Sequence, residues 1–213
     1  MAGLERAIEV LRDGIPVSEE MKIYSGMPKK GRFKEEINLT VFAERDSNVE
    51  FLMNIKIFKG RGKHYREWVE LFRINPDVFG IRYFGSPLES KVLDLFSKFS
   101  GRIFVEYYED EVTKKELLRG FPPALSRLGF ELLKRGYSWI KDWYYPEGFM
   151  EGGQKLQGEK ASNEDVRIRH LKKIEEEYLK FISTHGDDEL IDELKKRFKL
   201  MKSPFLWEMS IEI

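Results

Sequence analysis

The chain has no cysteine. That excludes disulfides, thiolate nucleophiles and zinc–thiolate sites at once. Histidine is nearly as scarce, and His64, His170 and His185 lie far apart in sequence. A metal centre would have to rest on carboxylates, so none is expected. Glutamine occurs only at Gln154 and Gln157. No apolar run approaches the roughly eighteen residues that mark a membrane-crossing helix. Neither charge is in excess: 37 basic and 37 acidic side chains cancel, so no global field recruits nucleic acid or an anionic membrane. Glu5, Arg6 and Glu9 make the segment from Met1 to Leu11 unlike a secretory signal. The expectation is a cytoplasmic protein without a membrane or nucleic-acid partner.

What remains is rich in charge and aromatics. Charged residues reach 35%, against roughly 25% in an average domain. With cysteine absent and glutamine rare, this is the composition of a heat-adapted protein covered in ion pairs. Hydrophobic residues at 41% and aromatics at 14% supply a substantial core.

Periodicity predicts an α/β chain with a mixed sheet. Leu4, Ala7, Ile8 and Leu11 mark a short opening helix that ends near Gly14 and Pro16. Ile37–Ala43 and Val49–Phe58 read as strands, and Arg45-Asp46-Ser47-Asn48 as the turn of an antiparallel hairpin. The basic run Lys59–His64 reads as a solvated loop. Val78–Phe84 is expected as a strand, followed by a helix opened by Ser86, Pro87 and Glu89 in a capping box. Val92, Leu93, Leu95, Phe96 and Phe99 form its apolar face, and Ile103–Tyr108 is the next strand. Such a strand–helix–strand unit suits a right-handed parallel crossover.

Glu111–Gly120 and Pro122–Arg135 are expected as helices and Tyr137–Tyr144 as a strand. Two amphipathic helices follow, one begun by Ser162-Asn163-Glu164-Asp165 and one from Asp187. Phe205, Trp207, Met209, Ile211 and Ile213 alternate as a closing strand. The expected organisation is a core over residues 1–160 and a helical extension with its closing strand over 161–213. The helices alternate acids and bases, as in Lys172-Lys173-Ile174-Glu175-Glu176-Glu177, which marks a solvated face. A homodimer-forming arm is the functional alternative.

Three constellations carry chemistry. Arg82-Tyr83-Phe84-Gly85-Ser86 runs from a strand into a capped helix, and backbone N–H groups with the positive helix end suit a phosphate there. Glu106 and Tyr108 stand at the end of the following strand. Carboxylates at the carboxyl edge of a parallel strand face a ligand crevice, so Glu106 is a candidate general base, with a solvent-facing carboxylate as the bland alternative. Between Trp139 and Lys160, Asp142, Trp143, Tyr144, Tyr145, Glu147 and Glu151 crowd among Gly148, Gly152, Gly153 and Gly158. Tyr144 or Tyr145 is a candidate acid, Glu147 or Glu151 a base or amine anchor, and Trp143 a stacking wall. The plainer alternative is a hairpin or Ω-loop whose aromatics cover the core. A Walker loop is excluded, because Gln154 precedes Lys155 and no Ser or Thr follows it.

Arg82-x-x-Gly85-x before a helix resembles the pyrophosphate loop of the GNAT acyltransferases, and the order of elements over about residues 36–145 is similar to that family. Leu132-Leu133-Lys134-Arg135-Gly136-Tyr137 resembles its Tyr-x-x-x-Gly-Phe helix ending. Pro87 departs from the loop's Gly or Ala, and Leu132 stands where the family often places a tyrosine acid. The Trp139–Lys160 signature also resembles an uncharacterised archaeal family of unknown function. The GNAT resemblance implies acetyl-CoA along Arg82, Phe84, Gly85 and Ser86, between Val78–Phe84 and Ile103–Tyr108. Acyl transfer would go to a small-molecule or peptide amine, with Glu106, Tyr144, Glu147 and Glu151 as catalytic candidates. Tyr108, Asp142, Trp143 and Tyr145 would hold the substrate. The alternatives are a non-catalytic binding module built on the aromatic, acidic loop and a methyltransferase using S-adenosylmethionine.

Overall fold

The computed structural model describes residues 2–32, 36–58, 68–72, 87–143, 154–185 and 189–203. Among them are nine strands and six α-helices in a mixed α/β arrangement. No helix among the described residues is long and apolar enough to cross a membrane. The chain divides into two units, residues 1–109 and 110–213.

The first unit opens with α1 (Ala2–Asp13), stopped at Gly14, whose φ of +98° suits a residue without Cβ. Strands β1 (Ile15–Pro16), β2 (Met21–Ser25), β3 (Lys29–Lys30), β4 (Glu36–Arg45) and β5 (Asn48–Phe58) follow. After them come β6 (Trp68–Phe72), α2 (Pro87–Phe99) and β7 (Arg102–Glu106). Their order in the sheet is β1-β2-β4-β5-β6-β7, with β3 on β4. All these pairs are antiparallel except β6 with β7, which run parallel. The expected β4–β5 hairpin is present. Arg45 pairs with Asn48, and Asp46 and Ser47 turn the chain at φ of 48° and 67°, the two positive values of the tight turn that matches strand twist.

A parallel pair does flank α2, formed by β6 and β7. Residues 78–84, expected as the first strand of such a pair, lie outside the described residues, as do Lys59–His64 and the closing strand over 205–213. Strands β2 and β6 were not anticipated. Leu39, Val41, Met53, Ile55, Ile57, Val69, Leu71, Ile103 and Val105 are all buried and form one continuous apolar face. Leu4, Ala7, Ile8 and Leu11 of α1 and Leu88, Val92, Leu93 and Phe96 of α2 are buried too. They supply the amphipathic stripes that such a face requires, and α1 packs on both α2 and β2.

The second unit contains α3 (Glu111–Leu118), a 3-10 turn at Pro123–Leu125, α4 (Arg127–Leu133), the antiparallel hairpin β8 (Tyr137–Trp143) and β9 (Lys155–Lys160), α5 (Glu164–Thr184) and α6 (Glu189–Met201). The single helix expected over 122–135 is broken at Ser126, whose ψ of 160° is extended. The break is stabilised by side chains. The backbone N–H groups of Arg127, Leu128 and Gly129 donate to Glu116 Oε2 (2.6 Å), Thr113 Oγ1 (3.1 Å) and Ser126 Oγ (3.2 Å). Three of the four donors that a helix start leaves open are thereby satisfied. Glu116 also receives Arg197 of α6 at 2.9 Å, and Arg197 reaches the carbonyl of Leu125 at 2.9 Å. Beside it, Arg127 pairs with buried Asp110 at 3.0 Å.

Removing Glu116 leaves the Arg127 N–H without its acceptor and takes the buried carboxylate from Arg197, which keeps the Leu125 carbonyl and the half-exposed Glu193 at 3.1 Å. Glu116→Ala is expected to destabilise the protein by about 3–5 kcal/mol, measured by urea unfolding. Glu116→Gln, which keeps an acceptor, should cost clearly less. Equal costs for the two variants would contradict the role given to this carboxylate.

Candidate functional site

The pleat that makes one face of the first unit apolar places a different set of side chains on the other. Register aligns them across strands: Asn38 faces Lys56, Lys56 faces Glu70, and Glu70 faces Phe104. The next row sets Thr40 opposite Asn54 and Asn54 opposite Phe72. Lys56 Nζ sits 4.8 Å from the Phe72 ring centre, a cation–π contact that fixes both side chains. Toward β2 the face continues through Tyr24 and Phe42, whose ring centres are 5.7 Å apart. Lys22 meets Glu44 at 3.0 Å.

This face is not an ordinary solvated surface. Glu36 and Glu70 are buried, Glu70 at 6% exposure, whereas carboxylates are rarely so covered. Asn38, Thr40, Asn54, Lys56 and Phe104 are half-buried. Burying polar groups costs free energy that an apolar face would not have cost, which marks the face as a candidate site. Because β6 and β7 run parallel, their carboxyl ends lie at the same edge. Glu106 ends β7 there, on the same side of the pleat as Phe104, and is half-buried. Tyr107 is buried and Tyr108 is 59% exposed. Glu106 is thus on the opposite side of the pleat from the core residue Tyr107, half-buried and not open to solvent as the bland alternative has it.

The remaining expected site residues divide in two. Arg82, Phe84, Gly85 and Ser86 lie outside the described residues, as do Tyr144, Tyr145, Glu147 and Glu151. Asp142 and Trp143 belong to the second unit, at the exposed end of β8, where they pair with Leu156 and Lys155. The stretch expected as a glycine-loosened loop has strands at both ends, which is the hairpin alternative. Leu156, Gln157 and Gly158 are buried within β9, as a sheet strand and not a loop would place them.

Trp139 is held within the second unit by its surroundings. Its ring centre is 5.0 Å from that of His170 on α5, with Lys173 Nζ at 4.3 Å and Lys141 Nζ at 4.9 Å. Ser138 Oγ and His170 Nδ1 share a hydrogen bond of 2.9 Å. Burial holds the His170 imidazole below its ordinary pKa, opposed by the Glu159 charge and reinforced by Arg169 and Lys173. Burial likewise lowers the pKa of Lys160. These groups fasten α5 to β8. Among the described residues no group of three His, Asp or Glu side chains could hold a metal ion.

Sequence reasoning missed Asn38, Lys56 and Glu70. The signal was present in Asn54-Ile55-Lys56-Ile57 and Val69-Glu70-Leu71, polar residues inside apolar strands. Alternation alone does not reveal whether the second face is open to water.

A crystal structure of a protein of unknown function from Aquifex aeolicus VF5 is similar to this chain at 43% sequence identity and a TM-score of 0.83. The match covers 95% of this chain and 100% of that one. No curated protein matches. Residues 19–185 match the family described as "Protein of unknown function (DUF1122)", and the chain belongs to that family.

Proposed function

We propose that this protein transfers an acyl group from coenzyme A to an amine, with the half-buried polar face of the first unit as the reaction surface. One observation carries the reading. An antiparallel run of strands leads into a connection, a helix and a parallel strand, and a carboxylate stands at the carboxyl end of that strand. The GNAT acyltransferases are similar in this order, and parallel-strand carboxyl ends are where α/β proteins place ligands. Arg82, Phe84, Gly85 and Ser86, between β6 and α2, would receive the coenzyme's phosphates.

The chemistry asks little of the protein. A neutral amine attacks the thioester carbonyl, a C–N bond forms, the C–S bond breaks, and the thiolate leaves and takes up a proton. One base must accept the proton that the amine gives up. Glu106, at the strand end, and Glu70, buried one strand away, are the carboxylates of this face placed for it. The aromatic wall of Phe72 and Phe104 would keep water from the thioester.

Coenzyme A at a hundred times its dissociation constant should stabilise the fold by about 2.7 kcal/mol, read as a rise in melting temperature. Arg82→Glu should abolish that rise. With acetyl-CoA and a panel of primary amines, Glu106→Gln or Glu70→Gln should lower kcat/KM on the order of 10²-fold or more. An unchanged melting temperature at millimolar coenzyme A would contradict the proposal. So would full activity in both Gln variants.

A further inference from the structure

The second unit has a cleft of its own, about 270 Å³ in volume, between the turn after α3 and the last turns of α5. Phe121, Pro122, Phe181 and His185 wall it. Phe121 and Phe181 are buried and meet edge to face, their ring centres 5.0 Å apart. His185 lies flat on Phe181 at 3.9 Å, and its Nδ1 is 3.1 Å from the Phe181 carbonyl oxygen, which fixes the imidazole in place. Two side chains of opposite charge also line the cleft, Glu177 and Lys180. They stand three residues apart on α5, a spacing at which acids and bases pair on a helix face. Glu111 with Lys114 and Glu164 with Arg167 do so at 2.6 Å. Glu177 and Lys180 stay apart. Among the described residues Glu177 takes part in no hydrogen bond or ion pair, and Lys173 and Glu176 act on it only through their charges. Burial raises its pKa, opposed by Lys173 and reinforced by Glu176. Lys173 itself is placed over Trp139 at 4.3 Å, and Arg119, beside Gly120, is not part of the wall. A half-buried carboxylate without a partner costs free energy, and a bound cation would offset that cost.

We propose that this cleft binds a free α-amino acid with an apolar side chain. The ligand's ammonium meets Glu177, its carboxylate meets Lys180, and its side chain lies against Phe121, Pro122 and Phe181. An α-amino acid carries its two charges on neighbouring carbons, so one molecule answers both residues of the open pair. An amine without a carboxylate leaves Lys180 unmatched, and an acid without an ammonium leaves Glu177 unmatched. The volume lies just under the roughly 300–1,000 Å³ of sites for drug-sized ligands, which suits a single amino acid better than a peptide. Every lining residue belongs to the second unit, so the proposal stands apart from acyl transfer on the first.

The test uses the full chain, isotopically labelled and without coenzyme, so that its failure and the failure of acyl transfer are distinguishable. L-Leucine and L-phenylalanine are titrated separately while backbone amide resonances are followed. Saturable shifts at residues 120, 121 and 177–185 are expected with at least one of them. Glycine and two truncated counterparts follow: 3-methylbutylamine and 4-methylpentanoate for leucine, 2-phenylethylamine and 3-phenylpropionate for phenylalanine. All should bind more weakly than the parent amino acid. Glu177→Gln should weaken amino-acid binding about tenfold or more, the loss expected for a hydrogen bond to a charged group. Lys180→Met, at the exposed rim, should weaken it about threefold or more. The melting temperature of Glu177→Gln should not fall, because a half-buried charge has been removed. Three outcomes overturn the proposal: no saturable shift with either amino acid, glycine or a truncated counterpart binding as tightly as the parent, or undiminished binding in either variant.

Discussion

The registration of β5, β6 and β7 is the constraint on which the first unit depends. Side chains along a strand alternate with period two, so a slip of one residue would send Ile55, Ile57, Val69, Leu71, Ile103 and Val105 out of the core. In their place it would bring in Asn54, Lys56, Glu70, Phe104 and Glu106. The free energy of burying nine aliphatic side chains on one face holds the sheet in place. The polar face is a by-product of that registration. Its residues stand in rows because their apolar neighbours must, and this explains how carboxylates and carboxamides come to be half-buried together without a loop to gather them.

The second unit is organised by polar groups. Glu116 is almost fully buried and serves as acceptor for the first N–H of α4 and for Arg197 of α6. Thr113 caps the next N–H of α4, and its own hydroxyl donates to Asp110, which also takes the guanidinium of Arg127. One short helix thus pins the start of a second and one face of a third. Buried ion pairs are seldom better than apolar packing of the same volume, but they tolerate few alternatives. The same holds where α5 meets β8, with Ser138, His170 and Trp139 joined in one cluster.

Legibility in the sequence followed signal strength. The β4–β5 hairpin was readable because two alternating runs flank Asp46-Ser47, residues that tolerate positive φ. The helices α2, α5 and α6 were readable from long apolar stripes, and α5 from Asn163, whose side chain accepts the Val166 N–H at 2.9 Å. Strands β2 and β6 were missed because five residues such as Met21-Lys22-Ile23-Tyr24-Ser25 hold too few periods to stand out from a loop. The break at Ser126 was missed because its cause is tertiary: Glu116 and Thr113 lie on another helix. At the candidate site, Glu106 was identified from its strand-end position. Glu70 and Asn38 were passed over, since a polar residue in a strand reads as solvent-facing unless the covering of that face is known.

The most direct test of the central claim, that the polar face beside the parallel strands is where this protein acts, is a crystal structure with bound acetyl-CoA. The account places the thioester carbon at the carboxyl ends of β6 and β7, on the side of the sheet that carries Glu70, Phe104 and Glu106. Coenzyme seated on the opposite side, among the helices α1 and α2, would contradict it.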